Sequence, residues 1–436
     1  MRNFLHGIKE KLNKAEEYDP QHPYYQQQDQ GWHQSSISDH SLLQLRMESS
    51  LLAERTFQYF YSSKNNQFQA KTKSESTLGA ENYFGYVVWP VSIMLHAMAD
   101  CLPHLRIHQT ICAHQQYWNP ERHAFCAWKM FPGNNDIYYD DNAHAVQALI
   151  SSAEATGQGL YLSQAKDILT NFIVPSGRKD GGIPWHISNH NARAACSTGP
   201  AAISALRLSA IRPDGNLVGF AERALCWLRK NLQDPEDKLI WDQLAYKEDG
   251  SIEINRMKWT YNSGFAIHGF TLLYEATHKD EYLRTAIEIA EATMNREAPL
   301  YDHCIPNASE RMLSDGSFFL HHLVDGYFAL AKHTHRDQLQ AEIRRIANWG
   351  KEFMLDPEDG LYYRGSRPYT ISEDHAKKFN DRFSLSKGLE KNEQERDEQG
   401  NLCKTMLGCA SWARIFRAAE RIEGVVDEVE FPKTEV

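Results

Sequence analysis

The chain has 436 residues, enough for two or three average domains or for one large core, and its composition is that of an ordinary folded protein with a formal net charge of −10. That charge, with no dense Lys/Arg cluster, argues against nucleic acid or an anionic membrane surface as a partner. No uninterrupted apolar stretch opens the chain and none elsewhere approaches the ~18 residues of a membrane span, so the expected location is cytoplasmic.

Residues 1–36 read as an irregular N-terminal extension, and from 37 to 425 helical periodicity dominates, with few convincing strands. The period predicts helices near 40–62, 83–99, 104–117, 142–156, 160–173, 198–211, 216–232, 262–277, 280–295, 316–334, 337–354 and 404–422. Turn residues followed by an aromatic or large aliphatic recur at Asn66, Pro120, Pro175, Pro235, Pro299 and Pro357, and the tetrapeptide DPED appears twice, at 234 and 356. Each interval holds two helices and two loops. A second series, Gly85, Asn142, Gly199, Gly264, Gly316 and Gly408, marks the start of every second helix with steps of 57, 57, 65, 52 and 92. The excess in the last step, roughly 30 residues, falls on the charged stretch 366–402, read as an insertion forming a mobile loop or lid. Residues 426–436 read as a tail. Six helical hairpins closing on themselves make the predicted fold all-α, an (α/α)6 toroid in a single domain.

In such a toroid the loops entering the inner helices open on one face. They hold Trp89, Trp185, Trp259, Tyr83, Tyr138, Tyr139 and Tyr261 interleaved with Asn82, Asn142, His186, Asn262 and Asp315. Stacking faces with a few amides and carboxylates suit a sugar, and ten Trp and twenty Tyr exceed what a core requires. The expected partner is an oligosaccharide or polysaccharide, contacted by Asn82, Tyr83, Trp89, Tyr139, Asn142, Trp185, His186, Tyr261, Asn262 and Asp315.

Two adjacent acids, Asp140 and Asp141, stand in YYDDNAH where one of these helices begins. Glycoside hydrolysis takes two carboxyls about 5–5.5 Å apart for retention or about 6.5–9.5 Å for inversion. Mutual repulsion raises one pKa and keeps that group protonated, while the positive helix end favours ionisation of the other. The pair reads equally as a helix cap with a dipole-matched neighbour, and His144 as a core or rim hydrogen-bonding group. Asp136, Asp140, Asp141 and His144 do not complete a Ca²⁺ or Zn²⁺ ligand spacing, so no metal and no cofactor is expected. Eight cysteines without a C-x-x-C pair fit reduced core thiols.

The run YYDDNAHAVQALI, followed by GGIPWH, STGPAAISAL and WTYNSGFAIHGFTLLYEAT, resembles glycoside hydrolase family 76, the α-1,6-mannanases and their fungal cell-wall relatives, over roughly residues 80 to 335. The resemblance implies an (α/α)6 barrel, an α-mannan-like substrate and a retaining mechanism, with Asp140 as nucleophile and Asp141 as general acid/base. The sequence departs from the family in the tenth helix, where members often carry F-K-G-I-F and this chain has SDGSFFLHHLVDGYFAL, with no Lys after Phe319. Other readings are a related transglycosylase, an unsaturated-uronyl hydrolase or sugar epimerase on the same toroid, and a non-catalytic carbohydrate-binding toroid.

Overall fold

The computed structural model describes residues 37–69, 87–102, 106–177, 180–392, 396 and 400–422. The chain forms two compact units, Met1–Gln44 and Leu45–Val436. Of the first, residues 37–44 are described, as the start of helix α1 (Ile37–Phe60). The extension expected at 1–36, the tail at 426–436 and the marker Gly85 lie outside the described residues.

Every helical segment expected from the period is a helix. After α1 come α2 (Val88–Cys101), α3 (Ile107–Gln115), α4 (Tyr139–Thr156), α5 (Gly159–Ile168), α6 (Ala195–Ile211), α7 (Gly215–Leu232), α8 (Thr260–Thr277), α9 (Asp280–Met294), α10 (Ser317–Leu330) and α11 (Arg336–Trp349). The insertion contributes α12 (Glu373–Phe383), and α13 (Met406–Ile422) completes the set. Within the second unit α2 packs on α4, α4 on α6, α6 on α8, α8 on α10, α10 on α13 and α13 back on α2, closing an inner ring of six. Helices α3, α5, α7, α9 and α11 pack outside it, which makes the fold an (α/α)6 toroid.

The two rings differ in their residues for a physical reason. Outer α9 is amphipathic, burying Tyr282, Thr285, Ala286, Ile289, Ala290 and Thr293 at helical spacing and exposing Asp280, Glu281, Arg284 and Glu291. Inner α4 is buried almost all round from Asn142 to Ala153, because it touches α2, α5 and α6. Small residues let inner helices approach: a Cβ at Gly264 would stand 2.6 Å from the backbone of Leu323, and one at Gly326 would stand 2.7 Å from the carbonyl of Gly264. At that crossing α8 and α10 touch backbone to backbone.

Two stretches differ from the periodic reading. Residues 241–258, assigned no element, form a hairpin of β2 (Trp241–Tyr246) and β3 (Ile252–Lys258), extended by β1 (Ala192–Ala194). Its signal was present in the Asp249-Gly250 turn, where Gly250 sits at φ 81°. In the insertion, read as a mobile loop or lid, Phe379 and Phe383 of α12 pack on Trp349 of α11 and on Phe353 just beyond it, and none of its described residues lines the main cavity. Among the described residues no helix is long and apolar enough to cross a membrane.

The repeated DPED has a structural explanation. Asp234 and Asp237 both accept from Lys258 Nζ at 2.6 Å, and Asp356 and Asp359 both accept from Lys404 Nζ. Each lysine stands two residues before an inner helix, so the ion pairs fasten the turn after an outer helix to the entrance of the next inner one. Arg193, two residues before α6, pairs with Asp180 in the same way at 3.2 Å.

Candidate active site

Most inner helices begin with an N-cap residue whose own side chain caps nothing; α13 differs, Thr405 Oγ1 accepting from Gly408 N at 3.1 Å. Val87, Tyr138, Ala194 and Trp259 at the N-cap positions have extended backbone and cap nothing. The first N–H groups go instead to the loop entering the next inner helix. Val88 donates to Ala127 O (2.9 Å), Tyr139 to Trp185 O (2.9 Å), Thr260 to Asp315 Oδ2 (2.7 Å) and Ser317 to Arg364 O (2.8 Å). Each helix start is thereby locked to its neighbour and its next side chains are free of capping duty. In α4 these are Asp140 and Asp141, so the cap reading of the pair does not apply.

Both carboxyls open into a cavity of about 580 Å³, within the size range of small-ligand sites. Its walls include Trp89, Trp128, Trp185, Trp259, Tyr138 and Tyr261. Trp185 is 45% exposed and braced edge-on by Tyr138 at 4.9 Å, which presents a large aromatic face to the opening. Its indole Nε1 donates to Asp140 Oδ2 at 2.9 Å. One residue therefore fixes both the first turn of α4, through its carbonyl, and the rotamer of Asp140, through its ring.

The two acids differ electrostatically. Burial raises the pKa of Asp140 to about 6, held from going higher by the Trp185 bond, by the N–H groups of Asp141 and Asp140 and by the Cys196 thiol. Burial also raises Asp141, well above the carboxylate range, and the charges of Asp140 and Asp136 push it further. Asp141 makes no side-chain hydrogen bond and neither acid an ion pair among the described residues. Of the two, Asp141 is pushed further from ionisation.

The predicted contact residues separate into three groups. Trp89, Trp185 and Tyr261 line the cavity. Asn82 and Tyr83 lie outside the described residues. The remaining five do not line the cavity, and each is engaged elsewhere. Tyr139 is buried and stacked on Phe172 at 4.5 Å. Asn142 clamps the backbone N–H and C=O of Phe125, at 2.7 and 2.9 Å, and the carbonyl of Tyr138. Asn262 is fully buried and donates to Asp242 (3.4 Å). Asp315 caps α8 through Thr260 N and Oγ1. His186 pairs with Asp136 at 3.1 Å, supporting the cavity wall from behind.

Sequence reasoning missed Asp242 on β2, which lines the cavity and is oriented by Asn255 (3.0 Å) and Asn262. Burial raises its pKa, so it is a third carboxyl that resists ionisation. The alternation in WDQLAY was the available signal. His144 also lines the cavity, as does His322 from α10. Among the described residues no cluster of three or more His, Cys, Asp or Glu is placed to hold a metal ion.

Comparison with known proteins places this arrangement among relatives. The chain is 30% identical over 409 residues to the meiotically up-regulated gene 191 protein of Schizosaccharomyces pombe, covering 85% of this chain and 90% of that protein. It superposes on the GH76A α-1,6-mannanase of Salegentibacter sp. HEL1_6 with a TM-score of 0.66 at 21% identity, over 87% of this chain and 99% of that one. An inactive variant of that mannanase, with two consecutive aspartates replaced by asparagine and α-1,6-mannotriose bound, gives a TM-score of 0.65 at 21% identity over the same shares. The family model for glycosyl hydrolase family 76 matches residues 44–350, and the chain belongs to that family.

Proposed function

We propose that the protein is a retaining glycoside hydrolase of α-linked mannosides, with α-1,6 linkages as the preferred substrate. The observation that carries this is the Asp140–Asp141 pair, which shares one cavity with no Lys or Arg among its described lining residues and whose two carboxyls are pushed up to different extents by burial. Asp140, ionised, attacks the anomeric carbon while the Asp141 carboxyl protonates the departing glycosidic oxygen. The Asp141 carboxylate then takes a proton from water, which attacks the same carbon and releases Asp140. Two inversions give net retention.

The aromatic walls support a sugar ring and leave its hydroxyls to the carboxyls. No Lys or Arg is among the cavity's described lining residues, which disfavours a uronyl substrate because its carboxylate would meet only like charges. The substrate class rests on the Salegentibacter neighbour, an α-1,6-mannanase whose inactive double-aspartate variant is bound to α-1,6-mannotriose. The test is proton NMR of α-1,6-mannan oligosaccharide cleavage. An α-anomer formed first, and lost in Asp140→Asn and Asp141→Asn proteins that fold, is the expected result. A β-anomer formed first overturns the retaining assignment.

A further inference from the structure

The cavity ends on two imidazoles that the chemistry above does not use. His144 stands four residues beyond Asp140 and three beyond Asp141 on the same face of α4, about 5 Å deeper along the helix axis. His322 enters from α10, and the two rings stack at 4.8 Å with 22° between their planes. Phe265 packs against both. His144 is 6% exposed and His322 is 4% exposed, and both line the cavity. His144 makes no hydrogen bond among the described residues, and His322 Nε2 is enclosed without a partner. Polar groups left in this state are destabilising unless a ligand completes them.

Charge narrows what that ligand is. Burial, with the Arg414 charge behind it, pushes His144 down to about 3. Burial followed by the neighbouring His321 and His144 holds His322 well below its ordinary range. Both rings are neutral, each offering one donor and one acceptor. The Asp325 carboxylate lies 4.0 Å from His322 Nδ1, which favours a proton on that nitrogen and leaves Nε2 to accept. The described lining above them holds carboxyls, aromatic rings, Cys196 and Gln243 but no Lys or Arg, so an anionic group is repelled and a hydroxyl fits. His322 lies within SFFLHHL, the first two turns of α10, directly after His321.

We propose that His144 and His322 read a ring hydroxyl of the uncharged sugar seated over Asp140, and so act as specificity residues at the deep end of the site. This rests on the proposed mannoside substrate. The test is titration calorimetry on the Asp141→Asn protein with methyl α-mannoside and its 2-, 3- and 4-deoxy analogues. One analogue is expected to bind about 10-fold more weakly than the parent, with the other two within about 3-fold. His144→Phe or His322→Phe should erase that difference, and the corresponding Gln variant should restore part of it. Equal weakening for all three analogues, or a difference that survives in both Phe variants, overturns the proposal. If the Phe variants do not fold, the deoxy series on the otherwise unaltered protein decides: no analogue weaker by more than about 3-fold overturns it. Absence of any mannoside binding is a separate result, which defeats the proposed function and this inference together.

Discussion

Acidic pairs occur at three stations around the ring, and the ring treats them in opposite ways. In the two DPED turns a lysine at the entrance of the following inner helix reaches back to both acids. Burial opposes ionisation there, yet Lys258 and Lys404 hold Asp234 and Asp356 below the ordinary carboxylate range. At the start of α4 the equivalent position, two residues before the helix, is Ile137, buried against Ala124 and Cys126. Among the described residues Asp140 and Asp141 have no counter-ion, and burial drives both upward. The number of acids is the same in each place. What distinguishes a fastener from a reaction centre is the missing cation.

Neutralising the acids should separate the stations most sharply. Asp140→Asn or Asp141→Asn is expected to lower kcat by about 1,000-fold or more, as removal of a nucleophile or acid does elsewhere, while the melting temperature holds or rises because repulsion is relieved. At a DPED turn the reverse holds. Lys404→Met strands two partly buried carboxylates and should cost about 3 kcal/mol in denaturant unfolding, with specific activity retained by the folded fraction. Activity lost without stability at a DPED turn, or stability lost without activity at α4, would break the contrast.

How much of this contrast could be read in advance depends on distance along the chain. The twelve helices were legible because apolar period and turn residues are local signals, and DPED was visible as a repeat. Its purpose was not, since Lys258 and Lys404 lie tens of residues away and a lysine before a helix reads as solvated surface. Asn142, Asn262 and Asp315 were assigned to sugar for a related reason. A polar side chain at a helix start serves a backbone group or a ligand equally well, and only the neighbouring hairpin decides which. Asp242 escaped because it sits on a strand within a chain whose rhythm is helical.

The stations should also respond oppositely to pH. Asp234 and Asp356 have folded pKa values below their unfolded ones, so their stabilisation is present above about pH 4 and is lost as pH falls through the folded values. Asp140 has a folded pKa of about 6, above its unfolded value, so the native state holds that proton more tightly and loses stability from this site as pH rises from about 4 to 6. The advantage of Asp140→Asn over the parent in melting temperature should therefore grow across that interval. The proposed mechanism requires Asp140 ionised and Asp141 protonated. The kcat/KM profile is expected to be a bell with its acid limb near pH 6 and its alkaline limb above that.

The mildest change tests the partner that Asp140 does have. Trp185 supplies a neutral N–H, not a charge, and that bond is the first-ranked influence lowering the pKa of Asp140 against burial. Trp185→Phe keeps an aromatic wall and removes the donor. Without it the ionised form loses a hydrogen bond worth about 1 kcal/mol, so the acid limb should move to higher pH by roughly half a unit to one unit, with kcat at neutral pH lowered by about 10-fold at most. An unmoved limb with raised KM would mean that the ring only stacks on substrate. A limb displaced toward lower pH would mean that another donor reaches Asp140 once the indole is gone, the Cys196 thiol being the neighbour placed to do so.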